Sequence, residues 1–130
     1  MLFPRIALAI LSLVLLAPSR SLAGETDCTD PPSIAAATQC AADSLDAAEN
    51  ILTTTFEKAL GGISGPDAGK EKAALVEEQN AWLSEREDAC SESNPDFADG
   101  GSATTAAILG CKSRRTEARI QALESKLGAH

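Results

Sequence analysis

Four cysteines, Cys28, Cys40, Cys90 and Cys111, constrain what this chain can fold into more than any other feature. Their spacings contain no CxxC and no CxxH. A structural zinc site would need the sole histidine, His130 at the last position, or four thiolates at spacings unlike known zinc modules. An even count in an exported chain reads as two disulfides. Four cysteines allow three connectivities, and spacing alone does not choose among them. Two antiparallel helices turning near Gly65 would bring Cys40 and Cys90 to similar heights. That register keeps Cys40–Cys90 with Cys28–Cys111 open beside a pairing of sequence neighbours.

The disulfide reading depends on export, for which the start of the chain supplies the signal. Met1-Leu2-Phe3-Pro4-Arg5 is a short positive lead, and Ile6 to Ala17 is an apolar run interrupted only by Ser12. The run is shorter than the ~20 residues of a membrane-spanning helix. It breaks at Pro18-Ser19-Arg20 and reaches small residues at Ser21 and Ala23, the layout of a signal peptide cleaved after Ala23. Glu25, Thr26 and Asp27 separate that site from Cys28, so a lipid-anchored cysteine is not expected. The reading is therefore a signal peptide at 1–23 and one exported domain at 24–130, periplasmic or secreted and without a membrane anchor after cleavage. A chain of that length supports a single modest core.

The formal charge of −8 becomes −10 once Arg5 and Arg20 are removed. Such a balance makes nucleic acid an improbable partner and favours basic partners.

The rest of the chain steps by threes and fours. Asp30-Pro31-Pro32-Ser33 is a helix start, and Ala37, Ala41, Leu45, Ala48, Leu52, Phe56 and Ala59 form one face of a long helix. Gly61-Gly62 is expected to end it, with Gly65-Pro66-Asp67 turning the chain and Asp67 capping the next element. Leu75, Gln79, Trp82, Arg86 and Ala89 share a narrow arc of a second helix, flanked by Val76 and Leu83. Ser91 to Gly101, with Pro95, two glycines and several acids, is expected to be a surface loop whose lone large apolar residue is Phe97. Ser102 is expected to cap a third helix with a stripe at Leu109, Thr116, Ile120, Leu123 and Leu127. Cys111 lies on the opposite side with Ala107, Ala118 and Ala122 near it, so either that helix has a second contact face or its first turns pack separately from its end. No strand-like alternation appears. The expected fold is all-α, a small antiparallel three-helix bundle with helices about 33–60, 68–91 and 103–127 and two disulfides.

Leu75-x-x-x-Gln79-x-Ala81-Trp82-Leu83-x-x-Arg86-x-x-Ala89-Cys90 is a distinctive string. It is followed by Gly100-Gly101-Ser102 and by Cys111-x-x-x-x-Thr116-x-x-Arg119-x-x-x-Leu123. Together they resemble the LprI-like lysozyme-inhibitor family. Cys40 and Ala48-Glu49-x-x-Leu52-Thr53-x-x-Phe56 extend the likeness to the first helix, where the family tends to show Asp, Asn and Tyr at the positions of Glu49, Thr53 and Phe56. The resemblance spans about residues 28–127. It implies an exported bacterial helical domain and, by analogy with relatives that pair cysteines close in sequence, the disulfides Cys28–Cys40 and Cys90–Cys111.

Gln79, Trp82, Arg86, Thr116 and Arg119 are the polar and aromatic signature of that resemblance. A structural role is the stronger expectation for them. Arg86 shares a face with Trp82 and would stack on the indole or pair with Glu49, while Trp82 reads as a core anchor rather than a sugar platform. Catalysis has little support: the chain has no Tyr, no internal His, no HExxH and no phosphate loop. No EF-hand loop begins at Asp67 or in Asp96 to Asp99. No cofactor or metal is expected, and Glu77, Glu78, Glu85, Glu87 and Asp88 read as a solvated acidic face.

Two functions remain. One is a lysozyme-type inhibitor whose acidic surface meets a basic glycan hydrolase, with Glu92, Asp96, Phe97 and Asp99 beside Pro95 as the candidate contact. The other is a non-inhibitory envelope protein that binds another partner or supports stress tolerance. In that case the loop is simply solvated, with Phe97 folded back on the helix ends.

Overall fold

The computed structural model describes residues 27–98 and 100–128, so the segment 1–23 read as a signal peptide and the candidate contact Asp99 lie outside the described residues. Three helices follow in order: α1 at Ile34–Gly62, α2 at Ala68–Ala89 and α3 at Ser102–Leu127, with a single 3-10 turn at Pro95–Phe97. Among the described residues there is no strand. The all-α three-helix reading holds, and so does the pairing of both disulfides, Cys28–Cys40 and Cys90–Cys111.

Local chemistry explains where each helix begins and stops. Ser33 accepts a hydrogen bond from the Ala36 amide at 3.1 Å and caps α1, with the two prolines preceding it. Gly61 and Gly62 do not end α1 as expected. Both remain helical, and the helix stops at Ile63, whose side chain turns in to pack on the core. The reversal falls at Gly65, whose φ of +102° is a left-handed geometry open to glycine. Asp67 occupies the cap position of α2 without a side-chain cap bond. The cap of α3 is Gly101 rather than Ser102, and the Gly101 amide donates to Thr104 Oγ1 at 3.1 Å.

Consecutive helices are antiparallel, which makes α1 and α3 parallel neighbours. Ser44 and Ser113 hydroxyls meet at 3.1 Å toward one end, and Gly62 lies against Leu127 at the other. Most interhelical contact is between this pair. Small residues on the facing stripes, Ala48, Thr55 and Ala59 on α1 and Ser113 and Thr116 on α3, are buried and let the backbones approach closely. Leu52, Ala59, Leu75, Ile120 and Leu123 form the core, with Phe56, Leu60, Ile63, Trp82 and Leu127 packed around it. The Ala107, Ala118 and Ala122 side of α3, suggested as a second contact face, is exposed: the bundle has no fourth layer to cover it.

That core occupies only part of the length. No residue from Ile34 to Ala47 in α1, and none from Ala103 to Lys112 in α3, is fully buried; Ala48 and Ser113 are the first that are. α2 ends before reaching this level, leaving two helices side by side. Both disulfides sit at this thin end, where burial supplies least stability.

The competing pairing fails on register. Arg86 faces Glu49, so antiparallel continuation sets Cys90 beside Leu45, roughly 7.5 Å of helix rise from Cys40. That is too far for a bridge without backbone movement, whereas the observed pairs have Cα separations of 5.6 and 5.7 Å.

Candidate functional site

α2 is the most polar of the three helices. Of its three buried residues, Leu75, Gln79 and Arg86, two carry hydrogen-bonding groups, so an apolar stripe alone does not dock it. The signature residues dock it instead. Arg86 Nη1 donates to Thr116 Oγ1 at 2.8 Å and meets Glu49 Oε1 at 2.9 Å; Nη2 and Nε both reach Glu87 Oε1. One guanidinium thereby ties α2 to α1 and α3 together, using the planar fork that distinguishes arginine from lysine. Thr116 is fully buried and satisfied on both sides, since its hydroxyl also donates to the Lys112 carbonyl at 2.8 Å.

A second arginine repeats the device about one turn of α3 further on. Arg119 Nε donates to Gln79 Oε1 and Nη1 to Glu78 Oε1, both at 2.8 Å. Lys126 closes on the same Glu78 carboxylate. Trp82, half-buried, carries both cations: the guanidinium carbons of Arg86 and Arg119 lie 5.3 and 5.9 Å from its ring centre. Arg119 Nη2 is buried without a hydrogen-bond partner. Gln79, Trp82, Arg86, Thr116 and Arg119 thus form one cluster inside the bundle.

The acidic face assigned to α2 needs correction at two positions. Glu78 and Glu87 are the acceptors that complete the network, Glu78 for Lys126 and Arg119, Glu87 for Lys112 and Arg86. Lys126 and then Arg119 hold the Glu78 carboxyl below its ordinary value near 4.5. Lys112 and then Arg86 do the same for Glu87. A carboxyl whose folded pKa is depressed stabilises the fold above the unfolded value and ceases to do so as pH falls through the folded one. The melting temperature is therefore expected to hold from neutrality to about pH 5 and to drop below about pH 4.5. In a Glu78→Gln/Glu87→Gln variant the curve should start lower and run flatter; parallel curves for parent and variant would contradict the assignment.

The candidate contact loop is braced rather than loose. Asn94 donates through Nδ2 to the Ala89 carbonyl at 2.7 Å and accepts from the Asp96 amide at 3.0 Å. The 3-10 turn it caps packs on α3, leaving Phe97 half-buried and Glu92 and Asp96 exposed. The structure thus separates the two groups singled out in the sequence. The signature cluster is interior, and the loop lies at the disulfide end.

The described residues hold no cluster of metal-ligating side chains and no helix long and apolar enough to cross a membrane. The chain is a disulfide-stapled three-helix domain docked by two arginines around one tryptophan, with an exposed, braced acidic loop. It belongs to the lysozyme inhibitor LprI family, whose model matches residues 28–123. This is an inhibitor family, not an enzyme family. No curated protein and no solved structure matches the chain.

Proposed function

We propose that this protein, exported after loss of residues 1–23, binds a basic lysozyme-type hydrolase outside the cytoplasm and blocks it. The family match over residues 28–123 carries the reading. The charge supports it: −8 for the whole chain and −10 for residues 24–130. Opposite charge speeds encounter and sets orientation more than it adds raw affinity. Lysozymes cleave between two carboxylates, so an acidic plug is repelled at the catalytic pair itself. Contact then falls on the basic rim of the cleft, with the loop bearing Glu92, Asp96, Phe97 and Asp99 as the element that reaches it. The interior cluster of Gln79, Trp82, Arg86, Thr116 and Arg119 serves this by holding the scaffold rigid.

Lysis of bacterial cell walls tests the reading. The purified protein should slow lysis by a basic lysozyme at near-stoichiometric ratio, and the effect should weaken as salt rises, because the attraction is screened within about 8 Å at physiological ionic strength. Lysis unaffected at large excess, across lysozyme classes, would point instead to an envelope protein with another partner.

A further inference from the structure

The thin end of the bundle has a groove of its own. Ile34, Ala35, Thr38, Gln39 and Ala42 of α1 face Thr105 of α3 across a depression of about 450 Å³. Ile34, which lines it, is 51% exposed.

Charge is partitioned along the same axis. Among the described residues, 27–47 and 90–112, which make up the thin end, contain six acidic residues and one basic one, Lys112 at its inner edge, which pairs with Glu87. Residues 48–89 and 113–128 contain eleven acidic and eight basic ones. The thin end thus carries a net −5 against −3 for the longer three-helix body, so negative charge is concentrated at the end that holds the groove. The small side chains of Ala35, Thr38, Ala42 and Thr105 leave the groove open to a partner's side chains, while Cys28–Cys40 holds the chain's lead to α1 and Cys90–Cys111 holds the end of α2 to α3 on either side of it.

We infer that the groove between the N-terminal halves of α1 and α3 is the docking surface for a basic protein, the hydrolase of the preceding proposal. This rests on that reading for the identity of the partner. A groove with Ile34, Ala35 and Ala42 in its lining, at a predominantly acidic end, matches a basic surface that offers an apolar or arginine stem to the groove and its cations to the carboxylates around that end. Asp43 sets a carboxylate at the groove's edge, where it accepts a hydrogen bond from the groove-lining Gln39 at 2.8 Å.

Two single substitutions of equal charge test the placement. Ala42→Arg puts a cation on the groove wall. Ala73→Arg puts the same cation on an exposed site beside Val76 and Leu60, in a separate depression between α1 and α2. Both are helix-compatible and are expected to melt within a few degrees of the parent. Binding to a basic lysozyme is measured by titration calorimetry, and inhibition by wall lysis. Ala42→Arg should weaken binding at least tenfold and Ala73→Arg less than threefold. Equal effects of the two, or a larger effect of Ala73→Arg, would overturn the groove while leaving inhibition standing. Binding without inhibition, still abolished by Ala42→Arg, would sink the inhibitor reading and keep the groove; absence of any binding by the parent would end both.

Discussion

Replacing Arg86 by alanine should cost about 3 kcal/mol of stability, from the lost packing of a long buried side chain and its buried hydrogen bond to Thr116; the Glu49 and Glu87 carboxylates left behind are about half exposed and stay solvated. For a domain of this size that is a fall in melting temperature of well over 10 °C. Arg86 is 6% exposed, and its guanidinium is bonded to Glu49 on α1, to Thr116 on α3 and to Glu87 on its own helix. Without it the Thr116 hydroxyl loses its buried donor, the indole of Trp82 loses one of its two cations, and α2 keeps only Leu75 as a fully buried apolar anchor. Arg86→Lys should fall between, because a point charge cannot satisfy three acceptors in the plane of a fork. Urea unfolding followed by Trp82 fluorescence checks both variants. A loss under about 1 kcal/mol for the alanine would put the residue outside the structural network.

The second large effect concerns the Cys90–Cys111 bridge. Converting both cysteines to serine should cost about 3 kcal/mol, the chain-entropy value for a loop of this length. Cys90 is fully buried, so the serine hydroxyl would also be left in an apolar setting. Loss of this bridge frees the segment that holds Asn94, Asp96 and Phe97 against α3, and inhibition should weaken further than stability alone explains. The Cys28–Cys40 bridge differs in kind. Cys28 is exposed and lies beyond the core, so a mild reductant should open this bridge first. Its removal should leave the melting temperature less changed. Mass mapping of alkylated thiols during stepwise reduction reads the order, and opening of Cys90–Cys111 first would contradict it.

Much of this was legible in the sequence because helical periodicity is strong evidence about faces. Leu52, Ala59, Leu75, Ile120 and Leu123 all fall in predicted stripes or signature strings, and together they form the core. Periodicity says which face turns inward but not how many neighbours it meets. Ala37, Ala41 and Leu45 continue the stripe of α1 without a break, yet they meet one helix where Leu52 and Ala59 meet two. The length of α2 decides this, and α2 stops at Ala89.

The same limit hid Glu78 and Glu87. By phase they belong to the solvent side of α2, and by reach they do not. A glutamate at the edge of a face extends across to a lysine or arginine on the next helix, and only the packed arrangement shows which one. Arg86 with Glu49 was foreseeable from antiparallel register, whereas the link to Thr116 required knowing that α3 lies at the same height. The ends of helices were read least well. Gly61 and Gly62 read as a stop in the sequence, yet α1 runs through both and ends at Ile63, which packs on the core. The charge partition, by contrast, was present in the sequence throughout and becomes meaningful only when residues 27–47 and 90–112 are found at one end.

The measurement closest to the central claim is sedimentation of an equimolar mixture of the purified, oxidised protein and a basic lysozyme, repeated at rising salt. An equimolar complex at low ionic strength that dissociates as salt rises, with wall lysis returning in step, is the expected result. Two independent boundaries at every salt concentration, with lysis undiminished throughout, would contradict it.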